Sequence, residues 1–293
     1  MRIGAVFPQI EIGTDPAVIR DYAQAVEELG FTHIVTYDHV LGAGTASRPD
    51  WSGPYTSETS FHEPFVLFGY LAAITRHVEL VTGVIILPQR QTALVAKQTA
   101  AVDVLSGGRL RLGVGVGWNP VEYEALNEDF ATRGARMDEQ IVVLRALWSD
   151  HAITFDGRFH TIHDAGINPL PIRRSIPIWI GGHSDAALRR AGRLGDGWLP
   201  QLPPDDQMRA QIAQIRQYAR ESGRPEDAVG IEARLSIAQV PDESGWIAYA
   251  QGWRDLGATY LGVNTMGAGL ASPRDHLEAL RKVKAALDAA LPA

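Results

Sequence analysis

The sequence contains no cysteine, which removes disulfides, thiolate nucleophiles and cysteine-held zinc or iron–sulfur centres at once. Lysine is scarce. It occurs only at Lys97, Lys282 and Lys284, all inside predicted helices, so no lysine stands at a strand end to form a Schiff base. Positive charge is outnumbered, with 27 Lys and Arg against 34 Asp and Glu for a net charge of −7. No basic run is long enough to follow a phosphate backbone, and nucleic acid is not an expected partner. Apolar runs are too short for a membrane span. The amino terminus passes from Met1 into residues 3–7 and is stopped by Pro8, too little for a secretory apolar region. The expectation is a cytoplasmic protein with no membrane partner.

What is present is a repeat. Short strand-like runs alternate with amphipathic segments along the whole chain, the pattern of parallel strands joined by helical crossovers. The predicted strands are 3–7, 33–37, 79–86, 109–116, 176–180, 197–199, 229–237 and 260–264. Helices are predicted over 16–29, 64–75, 92–105, 135–148, 184–194, 204–222, 245–256 and 274–291. A complete barrel of this kind takes roughly 250 residues, so 293 residues fit one barrel with insertions. Residues 42–62, rich in Gly, Ser, Pro and aromatics, read as a lid or binding loop. Residues 150–174 read as a small β excursion around Asp156-Gly157. The expected fold class is therefore α/β, a (β/α)8 TIM barrel with insertions after strand 2 and before strand 5, forming a single domain over residues 1–293. An open doubly wound sheet would need a glycine-rich turn after the first strand, where Pro8 and Gln9 stand.

Barrel enzymes carry their chemistry on the loops after the strands, so function is sought at eight short positions. These offer Pro8 and Gln9; Asp38 and His39; Thr82, Gly83 and Val84; Gly115, Gly117, Trp118 and Asn119; Gly181, Gly182, His183 and Ser184; Gln201; Ser236 and Gln239; Asn264 and Thr265. Asp38 is the only acid at a predicted strand end, so the paired carboxylates of a glycosidase are missing. A metal hydrolase would want several His and carboxylate ligands converging from different strands, and no metal site is expected. The remaining rim is Gly-rich, largely neutral and aromatic-lined, a surface suited to a planar cofactor that brings its own chemistry. Gly181-Gly182-His183-Ser184 leads straight into a helix, where free N–H groups favour a phosphate; the same residues also describe a tight βα turn with a Ser N-cap. His62-Glu63 reads as a helix start, with Glu63 in the first turn and Pro64 near N1.

Four segments carry a family likeness: Thr36-Tyr37-Asp38-His39-Val40; Val81-Thr82-Gly83-Val84-Ile85-Ile86; Leu105-Ser106-Gly107-Gly108-Arg109 running on through 112–118; and 177–182 with Gly195-Asp196-Gly197-Trp198. In order and spacing they resemble the luciferase-like monooxygenase superfamily, in particular its branch dependent on the deazaflavin coenzyme F420. The resemblance implies a cofactor ring in the C-terminal mouth, bordered by Asp38, Thr82, Gly83 and Val84, with Gly83-Val84 a candidate non-proline cis peptide. Gly115, Gly117 and Trp118 would continue the ring site, and Gly181, Gly182, His183 and Ser184 would hold the phosphate. His39 matches the histidine that moves a proton in the family's sugar-phosphate dehydrogenases, and imidazole titrates near neutrality. Held by Asp38 or a backbone carbonyl, His39 would instead be structural.

The sequence also departs from those dehydrogenases. Their acid after strand 4 aligns with Trp118, and the lysines that grip the sugar phosphate have no counterpart. The pocket is expected to be lined by Trp118, Trp51, Tyr55, Phe61 and Trp198, which suggests an uncharged or aromatic small-molecule substrate. The implied activity is hydride transfer between F420 and that substrate. The alternatives are a monooxygenase using reduced FMN and dioxygen on the same scaffold, and a degenerate barrel that binds a ligand without catalysis. The resemblance also implies a homodimer.

Overall fold

The computed structural model describes residues 1–291. Its strands in chain order are β1 (Arg2–Val6), β2 (His33–Thr36), β3 (Glu79–Thr82), β4 (Ile85–Ile86), β5 (Leu110–Gly115), β6 (Ile153–Asp156), β7 (Thr161–Ala165), β8 (Ile178–Gly181), β9 (Gly197–Leu199), β10 (Gly230–Ser236) and β11 (Tyr260–Asn264). The helices are α1 (Pro16–Glu28), α2 (Pro64–Ile74), α3 (Thr92–Ser106), α4 (Pro120–Ala125), α5 (Arg133–Ser149), α6 (Asp185–Leu194), α7 (Asp206–Glu221), α8 (Glu243–Asp255) and α9 (Pro273–Ala290). Parallel pairing runs β1-β2-β3-β5-β8-β9-β10-β11 and returns to β1, closing the TIM barrel, with β4 extending the edge of β5. The excursion before β8 is the antiparallel β6–β7 pair.

The punctuation of the sequence explains most boundaries. Asp15, Ser184, Asp205, Asp242 and Ser272 each cap the helix that follows by accepting a backbone N–H, the role short polar side chains fill best. Gly107 ends α3 at φ 71°, a left-handed position that glycine adopts without a Cβ clash. Three expectations are corrected. The predicted strand over 79–86 is split into β3 and β4, with the cis Gly83–Val84 peptide between them. Glu63 is the N-cap of α2 rather than a first-turn residue: one oxygen accepts from Val66 N at 2.8 Å. The stretch after Trp118 is not a plain loop but α4, which Asn119 caps and Pro120 begins.

Alternation along the strands divides the interior in two. Outward residues such as Ile34, Leu80, Leu112, Ile178, Ile231 and Leu261 pack against the helices in the main core. Inward residues fill the bore in layers. The lowest layers are ionic: Glu232 from β10 meets His33 Nε2 from β2 at 2.9 Å and the Arg111 guanidinium from β5. Arg111 lies between the rings of Trp179 and Tyr260, 4.4 and 4.3 Å from their centroids, a cation–π sandwich. Glycines clear this space. A Cβ on Gly4 would fall 2.2 Å from the His33 ring, and one on Gly197 would fall 2.1 Å from that of Trp179. Above lies an apolar layer of Val6, Val35 and Val81, and above that the mouth opens. Among the described residues, no helix is long and apolar enough to cross a membrane, and no cluster of three His, Asp or Glu could hold a metal.

Burial opposes the Glu232 charge, but His33 and Arg111 outweigh it and hold the carboxyl down at about 2, against an ordinary value of 4.5. Glu232→Gln strips Arg111 of its buried counter-charge and is expected to destabilise the fold by about 3–5 kcal/mol at pH 7. A carboxyl depressed in the folded state stabilises fully above its unfolded value and loses that contribution as pH falls through the folded one. The stability gap between wild type and variant, measured by urea unfolding, should therefore close between about pH 4.5 and pH 2. A gap that stays constant across that window would show that the carboxylate charge is not what stabilises the bore.

Candidate functional site

The mouth is a cleft of about 410 Å³ whose walls include Tyr37, Asp38, His39, Tyr55, Gly83, Val84, Gly115, Gly117, Trp118, Gly181, Gly182, Gln201 and Arg234. That volume lies within the usual range for small-molecule sites. Of the residues expected to hold a cofactor, eight line it: Asp38, Gly83, Val84, Gly115, Gly117, Trp118, Gly181 and Gly182. His39, the expected proton carrier, stands among them.

Thr82, His183 and Ser184 are not in that lining. Thr82 is fully buried and gives its hydroxyl to Gly113 O at 2.7 Å, so it ties β3 to β5 beneath the floor. Ser184 caps α6 through Ala187 N. The Nε2 of His183 accepts from Gln201 N at 3.3 Å, and its Nδ1 faces Gln211 Oε1 at 3.0 Å. Trp198, expected in the pocket wall, is wholly buried and donates its indole N–H to Gly182 O.

The glycines of the rim have a definite neighbour. A Cβ on Gly115 would lie 2.7 Å from Val84 Cγ2, one on Gly181 would lie 2.9 Å from Val84 Cγ1, and one on Gly83 would lie 2.4 Å from Val35 Cγ1. Val84 therefore occupies the space that side chains at Gly115 and Gly181 would need, and its isopropyl group forms part of the cleft floor. The open approach expected of these glycines is an approach to Val84.

His39 is anchored from below. Its Nδ1 lies 3.1 Å from Glu122 Oε1, an oxygen that also accepts Val40 N at 3.0 Å, while Glu122 Oε2 faces Gln89 Nε2 at 3.4 Å. Glu122 is 1 % exposed. A carboxylate can only accept, so the imidazole proton sits on Nδ1 and Nε2 is the nitrogen left to the cleft. Around the ring stand Tyr55, Phe61 and Trp118, with centroids at 4.6, 4.9 and 5.9 Å. Trp51 leans on Trp118 at 5.9 Å. The insertion after β2 thus forms an aromatic wall over the histidine.

Asp38 is not the partner of His39. It is 3 % exposed and accepts Arg90 Nη2 at 2.9 Å and Ile86 N at 3.1 Å; burial pushes its carboxyl above the ordinary value, and Arg90 opposes that. Arg90 also bonds Glu63 Oε1 at 2.8 Å, pinning the start of α2 to the rim. Burial likewise raises the Tyr37 phenol, against the pull of Arg234.

Glu122 and Arg234 were not among the residues expected from sequence. Asn119-Pro120 followed by Glu122 is a legible helix start, and recognising it would have turned Glu122 toward the site. Glu232 and Arg234 are charges at period-two positions between the buried Ile231, Ala233 and Leu235, the mark of a strand whose polar face looks into the bore.

Gly115→Ala forces a methyl group into Val84 and is expected to cost about 1–3 kcal/mol. Combined with Val84→Ala the penalty should largely vanish, giving a clear interaction energy in a double-mutant cycle read by denaturant unfolding. Additive penalties would mean that Val84 is not the reason for the glycine.

Comparison with known proteins places this geometry. An uncharacterized protein of Mycobacterium tuberculosis is 34% identical over 223 residues, covering 74% of this chain and 77% of that protein. The pyrimidine monooxygenase RutA of Allorhizobium ampelinum is 31% identical over 69% of this chain and 57% of its own length. Among solved structures, an F420-dependent secondary alcohol dehydrogenase in complex with an F420-acetone adduct superposes with a TM-score of 0.79 over 98% of each chain at 18% identity. The sequence profile of the luciferase-like monooxygenase family matches residues 4–287, and the chain belongs to that family.

Proposed function

We propose that this protein is an oxidoreductase that passes a hydride between the deazaflavin F420 and a small organic substrate with an aromatic or planar body, His39 handling the proton. The observation that carries this reading is the pairing of His39 with a buried carboxylate, which leaves Nε2 open to the cleft. When a hydride moves to or from the carbon of an alcohol or carbonyl, a proton must move at its oxygen, and a fixed imidazole supplies it near neutral pH.

The residues present fit the cofactor. The floor is nearly free of side chains, with Gly83, Gly115, Gly117, Gly181 and Gly182 on one side and Val84 filling the middle. A flat ring system can lie against such a floor, edged by Ile86 and Trp118. Bound there, the deazaflavin would supply or accept the hydride. Glu122 holds the His39 tautomer and orientation, the role of a carboxylate behind a catalytic histidine. Tyr55 and Trp118 stand against the His39 ring and limit the positions it can take. The likeness to the F420-dependent alcohol dehydrogenase structure supports the deazaflavin. The likeness to RutA supports a second reading, a flavin-dependent monooxygenase in the same cleft.

Titration with F420 and with FMN, followed by quenching of cofactor fluorescence, should show binding of F420. Binding of FMN with none of F420 would replace this reading by the monooxygenase, and binding of neither would leave a ligand-binding barrel. With the cofactor bound, His39→Ala should lower kcat by about 10² to 10⁴ with cofactor affinity retained. Glu122→Gln, acting through His39, should lower kcat by about 10- to 100-fold with KM little changed. Turnover unaffected by His39→Ala would return His39 to a structural role.

A further inference from the structure

The β10 wall of the cleft carries a charge that the hydride-transfer reading does not use. Arg234 rises from β10 into the mouth, where it donates through Nη1 to Tyr37 OH at 2.9 Å and through Nη2 to Gln201 Oε1 at 3.2 Å. Both partners are neutral. No carboxylate among the described residues stands within 4.0 Å of its guanidinium nitrogens. The other arginines that bear on the barrel interior are matched: Arg90 by Asp38 and Glu63, Arg111 by Glu232 and Glu79. The carboxylate nearest to Arg234 along β10, Glu232, is already shared between His33 and Arg111 one layer down. A cavity of about 30 Å³ bordered by both Glu232 and Arg234 separates the two layers. Glu79 and Glu232 are thus engaged by Arg2 and Arg111, and Arg234 has only neutral partners.

We propose that Arg234, framed by Tyr37 and Gln201, is the subsite for a carboxylate group of the substrate, which makes the substrate an aromatic or planar carboxylic acid. Guanidinium has five N–H donors, of which Tyr37 and Gln201 take two. The rest face a monoanion whose two oxygens match the fork. A phosphate dianion suits this position less well, since no second cation lines the cleft beside it. Tyr37 and Gln201 fix the fork from two other strand ends, β2 and β9, so the charge is held in place before the ligand arrives. The acid is then bound at one wall while its reacting carbon faces His39 at the other. This inference rests on the substrate half of the hydride-transfer reading and proposes an anionic ligand in place of the uncharged one expected from sequence.

The test compares benzoate with benzamide, isosteric probes that differ in charge, by isothermal titration calorimetry on the protein loaded with whichever cofactor it binds and on the protein alone. Benzoate is expected to bind at least about tenfold tighter, as a charge-assisted contact requires. Arg234→Gln should abolish that preference, Arg234→Lys should keep part of it, and His39→Ala should leave it in place. Retained F420 or FMN affinity in Arg234→Gln shows that the variant is folded and that the cofactor is held elsewhere. Equal binding of the two probes by wild type, no binding of either, or a preference that survives Arg234→Gln each overturns the proposal. Because calorimetry reads the probes with or without cofactor, a failed cofactor titration sinks the hydride-transfer reading and leaves this outcome separately legible.

Discussion

A closed barrel of eight strands encloses a bore that side chains must fill, and in this protein the bore is crossed by one buried carboxylate. Glu232 reaches from β10 to His33 on β2 and Arg111 on β5, joining three strands that are not neighbours in the sheet. The glycines of β1 and β9 follow from it, since the His33 and Trp179 rings occupy the space their side chains would need. A charge buried this deeply persists because both oxygens are engaged and because Trp179 and Tyr260 stack on the cation opposite. The height of everything above is set here. Two residues on from Glu232 is one layer up, and Arg234 therefore emerges at the floor of the mouth.

The same alternation governs the other walls. His33, Val35 and Tyr37 climb the bore from β2; Arg111, Gly113 and Gly115 climb it from β5. Where these columns reach the top, the break between β3 and β4 presents Val84 to β5 and β8, and both strands answer with glycine. The cleft floor is thus built by protein packing on protein. Its flatness is a property of the fold before any ligand is considered, and this is why the rim looks neutral in sequence although charge lies just beneath it.

That distinction explains what the sequence could and could not reveal. The strand and helix repeat, the cap at Ser184 and the two insertions are local signals, and they were legible, whereas the cis peptide at Gly83-Val84 followed only from the family likeness. His39 was legible because it follows a strand directly. Glu122 was not, because it acts from a six-residue helix 83 positions away, and only the closed barrel brings that helix beneath the β2 loop. Asp38 misled for the same reason: adjacency to His39 suggested a partner, whereas successive residues at a strand end point in different directions. Asp38 turns to Arg90 and His39 turns to Glu122. At the start of α6 the Ser184 hydroxyl caps Ala187 N and the His183 ring turns to Gln201 and Gln211, so the side chains there serve the turn itself.

The cleft is consequently asymmetric in charge as well as in shape. On the β2 side a carboxylate orients an imidazole, so the pair presents the open Nε2 rather than a net cation. On the β10 side the guanidinium has neutral partners only, so its charge projects into the same space. A ligand spanning the two walls meets one group that exchanges a proton and one that does not, since guanidinium stays protonated across the physiological range. Under the proposed reading, chemistry falls to one end and recognition to the other. No hydrogen bond joins the His39–Glu122 pair to the Arg234–Tyr37–Gln201 group among the described residues, so each set of contacts holds its own residue in place.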